Sequence, residues 1–263
     1  MEVGISTASL FCRKTTEDAL KYLAQNKVAS VEVFLSTYCE YEKSFAKTLT
    51  KVKGGSKIHS IHTLNTQFEP QLYSVNPRAV SDAFDILKKV LFVGKKIGAK
   101  NYTFHGLARI KRTPYNYDLD KVGQSTERII DECKRNGITL CYENVHWAIY
   151  NYAGFFKEIK KRCPDLKATL DVKQADQSSV SVYDYIDDMS GHINTVHLTD
   201  RDENGKLCLP GKGVYDYVTL FRALKDAGFD GSVIIEAYQK DYDAEKELLD
   251  SQEFVKEILY KVY

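Results

Sequence analysis

Eight short apolar runs alternate along this chain with eight longer amphipathic stretches, and few folds accommodate such a pattern. The runs are rich in β-branched and aromatic residues and predict strands near 2–6, 30–35, 57–62, 99–105, 138–143, 167–171, 193–198 and 232–237. The stretches between them predict helices at about 16–26, 40–53, 77–97, 118–136, 151–163, 180–189, 215–227 and 242–262. This alternation implies a parallel sheet covered by helices.

The ends of the predicted helices support the same division of the chain into strands and helices. Gly98, Gly137 and Gly228 each follow a predicted helix, where the chain commonly takes a positive φ. No linker rich in Pro, Gly or Ser divides the chain, and its 263 residues suit a barrel of roughly 250 residues. We therefore expect an α/β protein with a (β/α)8 TIM barrel fold, formed as a single domain by residues 1–263.

Charge and composition limit the binding partners and the cellular compartment that we expect for this protein. Lys+Arg number 37 and Asp+Glu 36, so no overall field attracts the protein to nucleic acid or to an anionic membrane. Residues 1–10 lack a cationic region followed by a long apolar stretch, and the chain has no transmembrane-length apolar run. The six cysteines form no CxxC pair. We expect a cytoplasmic protein with reduced thiols.

Metal-competent side chains recur at the carboxyl ends of the predicted strands. In an α/β barrel these ends converge on one mouth, where active sites are built. Burial of several ionisable groups in one mouth is costly unless a cation or mutual pairing compensates them. The residues are His62, His105, Glu143, Asp171, His197 and Glu236.

Four of these residues make an oxygen-rich ligand set of three carboxylates and one imidazole: Glu143, Asp171, His197 and Glu236. Such a set suits Mn²⁺ or Mg²⁺ and also tolerates Co²⁺, Fe²⁺ or Zn²⁺. A structural zinc site would show thiolates, and none of the cysteines falls at these strand ends. We expect one divalent ion, with Mn²⁺ favoured.

Four segments resemble the xylose-isomerase-like barrels, a family of sugar and sugar-phosphate isomerases and epimerases that also includes an apurinic-site endonuclease. They are LCYENV (140–145), ATLDVKQA (168–175), VHLTDRDENGKLCLPGKG (196–213) and VIIEAY (233–238). In the ketose 3-epimerase branch the matching residues bind one divalent metal, and the two glutamates also move protons. The resemblance thus implies Glu143, Asp171, His197 and Glu236 as metal ligands, with Glu143 and Glu236 catalytic.

The implied chemistry is proton abstraction beside a ketone. A metal that chelates the carbonyl and a neighbouring hydroxyl of a ketose stabilises the enediolate formed when the adjacent proton leaves. Carboxylates on opposite faces would invert that carbon, whereas return of the proton to the neighbouring carbon would interconvert aldose and ketose. The sequence leaves both outcomes open for a sugar, a sugar phosphate or a related polyol ketone.

Two other activities remain as alternatives. An endonuclease IV-like hydrolase on abasic DNA needs a three-metal cluster; His62 and His105 match two of its positions, but Gln174 and residues 209–213 replace others. The near-neutral charge also counts against DNA as a partner. An inosose-dehydratase-like lyase needs the same enolising metal and a leaving hydroxyl, and only turnover separates it from an isomerase.

Several further side chains are candidates for binding a small carbohydrate. Arg201 and Lys212 lie in the loop after the seventh strand, a common phosphate site in barrels, and Gly211 and Gly213 let the backbone approach a ligand. The indole of Trp147 can lie against a sugar ring. The substrate-binding candidates are His62, His105, Gln174, Arg201, Lys212 and Trp147.

Three features are open to two interpretations. Glu32, inside an apolar strand, either enters the barrel mouth or pairs with a base. Lys173 can lower the pKa of a neighbouring carboxylate and hold it ionised. Residues 112–118 are either a lid or a plain surface loop. Association into a homo-oligomer is also left open.

Overall fold

A computed structural model describes residues 1–64, 67–109 and 118–263 and contains a closed parallel barrel. The strands of the described residues are β1 (Glu2–Ser6), β2 (Ser30–Leu35), β3 (Lys57–Thr63), β4 (Asn101–Phe104), β5 (Thr139–Glu143), β6 (Lys167–Asp171), β7 (Ile193–Leu198), β8 (Asp200–Arg201), β9 (Leu207–Cys208) and β10 (Ser232–Ile235). The barrel order is β1-β10-β7-β6-β5-β4-β3-β2, and β8 and β9 form a separate antiparallel hairpin. The (β/α)8 prediction is confirmed.

Among the described residues, each barrel strand is followed along the chain by one or two α-helices. They are α1 (Thr16–Gln25), α2 (Lys43–Val52), α3 (Pro77–Ile97), α4 (Leu119–Arg135), α5 (Phe155–Lys160), α6 (Val172–Gln177), α7 (Val182–Asp188), α8 (Tyr217–Asp226) and α9 (Lys246–Val262). Gly98, Gly137 and Gly228 take φ values of 91°, 69° and 77°, as their positions after predicted helices require. Where the sequence predicts one helix at 180–189, the structure has both α6 and α7.

Apolar strand residues form the core between the barrel and the helices.

Two β-bulges determine which strand residues point into the barrel. The pairing of β2 with β3 runs from Val31↔Ile58 to Glu32↔Ser60, which leaves His59 as the extra residue. A matching shift in the pairing of β6 with β7 leaves Asn194 as the extra residue. The bulge on β3 brings Ser60 into register with Glu32, and the Ser60 hydroxyl donates a 2.7 Å hydrogen bond to the Glu32 carboxylate.

The lower part of the barrel interior, near the amino ends of the strands, is therefore polar as well. The imidazole of His59 lies 2.8 Å from the Thr195 hydroxyl, and the side-chain amide of Asn194 donates a 3.0 Å hydrogen bond to the side-chain oxygen Oδ1 of Asn101. In the part of the chain that the structure describes, no helix is long and apolar enough to span a membrane. The carboxyl ends of the strands, opposite this lower layer, hold the candidate site.

Candidate metal centre

Four strands deliver the side chains of one buried cluster. Glu143 ends β5, Asp171 ends β6, His197 lies on β7, and Glu236 directly follows β10. One ligand atom from each residue lies within 4.8 Å of those from the other three. The structure thus brings together the four predicted ligands, because the barrel register aligns the ends of strands that are distant in sequence.

The imidazole of His197 faces the three carboxylates. Its Nδ1 lies 2.8 Å from Glu236 Oε2, 3.3 Å from Glu143 Oε1 and 3.7 Å from Asp171 Oδ2. These approaches lack hydrogen-bond geometry, so His197 Nδ1, Asp171 Oδ2 and Glu143 Oε2 are, among the described residues, buried without a well-aligned hydrogen-bond partner. Buried carboxylate oxygens and a ring nitrogen that face one another in this way fit a divalent cation.

The carboxylate of Glu236 is held in its charged form. Burial alone would raise the pKa of Glu236, but the charges of His197 and Lys173 hold that pKa well below its usual range. Burial alone would lower the pKa of Lys173, but Asp171 and Glu236 hold it above its usual range. Glu236 therefore remains ionised near neutral pH.

Glu32 lies inside the barrel beneath the cluster, where it pairs with histidines, the second of the two interpretations made for it. Its Oε2 is 3.2 Å from His197 Nε2, and its Oε1 is 3.3 Å from His62 Nδ1. It also accepts hydrogen bonds from Ser6, Ser60 and Thr103. Metal-binding histidines commonly donate their second ring N–H to a carboxylate in this manner, which fixes the ring.

A second pair of histidines lies beside the four-residue cluster. The Nε2 atoms of His62 and His105 are 2.8 Å apart, and His105 Nε2 is 3.4 Å from Glu143 Oε2. Glu69, fully buried, lies 3.3 Å from His105 Nδ1 and accepts a 2.6 Å hydrogen bond from Tyr102. His62, His105 and Glu143 form a further group whose spacing suits a metal ion.

Above the cluster opens a cavity of about 270 Å³ with a polar floor and an aromatic wall. The indole of Trp147 lies 5.2 Å from the ring of His105, and Phe34 packs edge-on against His62. A pocket with apolar walls and a few convergent polar groups suits a small ligand. The lining side chains not already described in the cluster or the histidine pair are Ala8, Phe11, Phe34, Thr63, Leu64, Trp147, Lys173, Gln174, Ala237 and Tyr238.

Gln174 lines the cavity, whereas two other binding candidates do not. The Gln174 amide oxygen lies 2.6 Å from His146 Nδ1. Arg201 forms an ion pair with Asp176, and Lys212 is exposed; neither is among the described residues that line the cavity. A role for either in binding would require the loop after β7 to change conformation.

The glycines of that loop serve its own packing. A Cβ atom at Gly213 would collide with the carbonyl oxygen of Arg201, and the carboxylate of Asp200 accepts hydrogen bonds from the backbone of Gly211 and Tyr215. These contacts account for glycine at 213 without a ligand. Of the lid candidate 112–118, residues 112–117 lie outside the described residues.

Comparisons with known proteins agree with this architecture. Residues 20–258 match the family model described as xylose isomerase-like TIM barrel. No curated protein sequence matches the chain.

Several solved structures share the fold. A D-tagatose 3-epimerase-like protein has a TM-score of 0.81 at 18% identity, with 100% of this chain and 98% of that one covered. D-psicose 3-epimerase from Clostridium cellulolyticum H10, solved with D-tagatose, has a TM-score of 0.79 at 17% identity, covering 100% and 99%. The IOLI protein with a binding zinc atom has a TM-score of 0.78 at 14% identity, also covering 100% and 99%.

Proposed function

Because the chain belongs to the xylose isomerase-like TIM barrel family, we propose that it is a metal-dependent isomerase or epimerase of a sugar, a sugar phosphate or a related polyol ketone. The buried cluster at the barrel mouth carries the proposal, since its ligand atoms lie within 4.8 Å of one another. The similar folds of a D-tagatose 3-epimerase-like protein and a D-psicose 3-epimerase support this substrate class. The proposed ligands are Glu143, Asp171, His197 and Glu236.

The proposed resident ion is one divalent metal, and the oxygen-rich ligand set favours Mn²⁺. Zinc also suits the set, and the IOLI protein of similar fold is described with a zinc atom. When bound, the ion supplies Lewis acidity, which polarises the ketose carbonyl and lowers the free energy needed to remove the neighbouring proton. All remaining steps fall to side chains of this chain.

Glu143 and Glu236 are the proposed proton carriers. They come from β5 and from the end of β10, two strands separated in the barrel by β6 and β7. One carboxylate takes the proton from the substrate carbon, and the other returns a proton from the opposite face, which inverts that carbon. Return of the proton to the adjacent carbon would make the reaction an aldose–ketose isomerisation. His62, His105, Gln174 and Trp147 are the proposed contacts for the rest of the substrate.

Solvent exchange tests the chemistry across many possible substrates at once. The Mn²⁺-loaded protein is incubated in D₂O with a panel of ketoses and ketose phosphates, and NMR identifies any carbon that gains deuterium. We expect deuterium at one carbon next to the carbonyl, together with an epimer or an aldose as product. Metal-stripped protein is the control. Absence of exchange across the panel, with the metal shown to be bound, would contradict the proposal.

One observation favours the hydrolytic alternative. His62, His105 and Glu143 form a second group suited to a metal, and this group shares Glu143 with the first. Neighbouring metal ions are used by many enzymes that cleave phosphodiesters. Incision of a duplex that contains an abasic site, by protein with two or more ions per chain, would favour this activity. A dehydratase-like lyase would instead show exchange followed by loss of water from the ketone.

A further inference from the structure

Lys173 is a buried cation at the boundary between the candidate metal cluster and the cavity. It lies in the first turn of α6, two residues after Asp171, and only 4% of its surface is exposed. The side chain lines the cavity together with Glu143 and Glu236. A lysine buried to this degree is rare unless its ammonium is paired.

The ammonium group has an incomplete set of partners. Its nearest carboxylate oxygen is Asp171 Oδ2 at 3.7 Å, beyond hydrogen-bond distance, and it lies 4.5 Å from the centroid of the Tyr238 ring. No hydrogen bond from Lys173 Nζ is formed within residues 1–64, 67–109 and 118–263. An ammonium has three N–H donors, so this one retains donors for a molecule in the cavity.

The surrounding charges indicate what that molecule offers. The ammonium lies 3.7 Å from Asp171 Oδ2, and Lys173 lines the same cavity as Glu236 and Glu143, so it is close to the carboxylates that face the candidate ion. The ammonium and one divalent ion together balance three carboxylates. A positive group is therefore already in place when an oxygen of the ketose becomes negative.

We propose that Lys173 Nζ donates a hydrogen bond to the substrate oxygen that gains negative charge as the ketose loses its proton. The inference rests on the proposed function and assigns a further catalytic residue to it. In this step the C–H bond breaks, its proton passes to a glutamate carboxylate, and its electron pair forms the C=C bond while the carbonyl π electrons move to oxygen. The lysine keeps its proton throughout.

An anionic chelator tests this contact. Acetohydroxamate offers two oxygens to a metal and carries the charge of an enediolate, so it serves as the probe whichever ketose is the substrate. Calorimetry measures its binding to the Mn²⁺-loaded protein, with Mn²⁺ affinity determined separately. We expect Lys173→Met to weaken probe binding at least about tenfold without weakening Mn²⁺ binding, because a charged hydrogen bond is lost. Lys173→Gln, which keeps a neutral donor, should weaken it less.

Lys240→Met is the matched control. Lys240 also approaches the Tyr238 ring, at 5.7 Å, but it is exposed and is not among the described residues that line the cavity. This variant should bind the probe like the parent. With a ketose that the parent converts, Lys173→Gln should lower kcat more than it raises KM.

Two failures are distinguishable. If metal-loaded Lys173→Met and Lys173→Gln bind the probe as tightly as the parent, or if their only defect is weaker Mn²⁺ binding, Lys173 merely neutralises Asp171 and the inference is overturned. If the parent itself binds neither Mn²⁺ nor acetohydroxamate, the proposed function fails and this inference fails with it.

Discussion

Glu143 and Glu236 share a proposed role but occupy different environments. The side chain of Glu236 is 12% exposed and faces the cavity, whereas Glu143 is enclosed and lies near both His105 and His197. Conversion of either residue to Gln keeps one ligand oxygen and removes the base. Turnover should fall by about 10²–10⁴, the range of general acid–base catalysis, while some Mn²⁺ binding persists.

Deuterium exchange separates the two glutamates. In an epimerase, each single Gln variant should lose exchange from one face of the substrate carbon and can retain it from the other. Glu253→Gln, at a side chain that is 68% exposed on α9, is the control and should exchange like the parent. Near-normal turnover in both site variants would rule out the two-carboxylate mechanism.

Asp171 allows metal binding to be tested apart from folding. Its Oδ1 accepts a 2.8 Å hydrogen bond from the backbone of Gln174 and so caps α6, while Oδ2 faces His197. Asp171→Asn keeps an oxygen for the cap but removes the charge. We expect much weaker Mn²⁺ affinity in calorimetry, with a circular dichroism spectrum like that of the parent.

A second cap provides the control for that substitution. Asp216 caps α8 in the same way, through a 3.0 Å hydrogen bond from the backbone of Thr219, and it is exposed. Asp216→Asn should leave Mn²⁺ affinity unchanged. Global unfolding of Asp171→Asn would show that Asp171 is mainly structural.

At the residue scale, the sequence predicts the cluster because each member follows an apolar strand. This rule alone finds the four cluster residues and the histidine pair: Glu143, Asp171, His197, Glu236, His62 and His105. It misses Glu69, which accepts a hydrogen bond from the backbone of His105, and Tyr238, which lines the cavity, since neither lies on a predicted strand. The pairing of Arg201 with Asp176 depends on the path of a loop, which hydrophobic periodicity does not report.

At the element scale, the sequence predicts the barrel strands within two residues of their observed ends, because buried parallel strands are short, apolar and β-branched. The helix after β6 is less predictable. Asp171 ends the strand and caps α6 at once, so no turn signal separates the two elements. The bulges at His59 and Asn194 are also not predicted, although each puts two polar residues in succession, His59–Ser60 and Asn194–Thr195, where the strand otherwise alternates.

The bulge on β3 predicts a pH dependence of stability. Burial lowers the pKa of His59 to about 4, so the folded protein keeps this histidine neutral while the unfolded chain takes up a proton below about pH 6.5. Stability is therefore full above that pH and falls as the pH drops toward 4. Between pH 7 and pH 5 the loss from His59 should be about 2 kcal/mol.

Urea unfolding of metal-free protein measures this loss. His59→Gln removes the titrating group and should lower the pH dependence between pH 7 and pH 5 by that amount. His192→Gln is the comparison: burial lowers the pKa of His192 as well, but this residue is less deeply buried, so its removal should reduce the pH dependence by a smaller amount. Equal pH dependence in the parent and His59→Gln would contradict the assignment.

At the scale of the whole molecule, closure of the barrel is what turns separate strand ends into one site. The sequence predicts closure from the count of eight strand–helix units, because an open sheet of two doubly wound halves would need a break in the pattern. That residues 1–263 form one domain stays a prediction. A single cooperative unfolding transition, seen alike by near- and far-UV circular dichroism, is expected of it.

Metal binding should be visible in the stability of the whole barrel. A ligand that binds only the folded state at about 100 times its Kd adds about 2.7 kcal/mol to the free energy of unfolding. For a protein of this size that corresponds to a rise in Tm of roughly 5–10 °C. We expect Mn²⁺ to produce such a rise in the parent and little or none in Asp171→Asn, as measured by differential scanning calorimetry.

The number of bound ions shows which of the two groups of metal-binding side chains is occupied. With Glu143, Asp171, His197 and Glu236 occupied, elemental analysis of protein purified without chelators should give one divalent ion per chain. A second possible result is two ions per chain, reduced to one by His105→Ala. It would show that the group of His62, His105 and Glu143 also binds an ion, and it would favour the hydrolase. No ion after soaking in Mn²⁺, together with an unchanged Tm, would contradict the metal centre. One ion lost in Asp171→Asn but kept in His105→Ala is the result that the four-residue cluster requires, because only the first substitution removes one of its charged ligands.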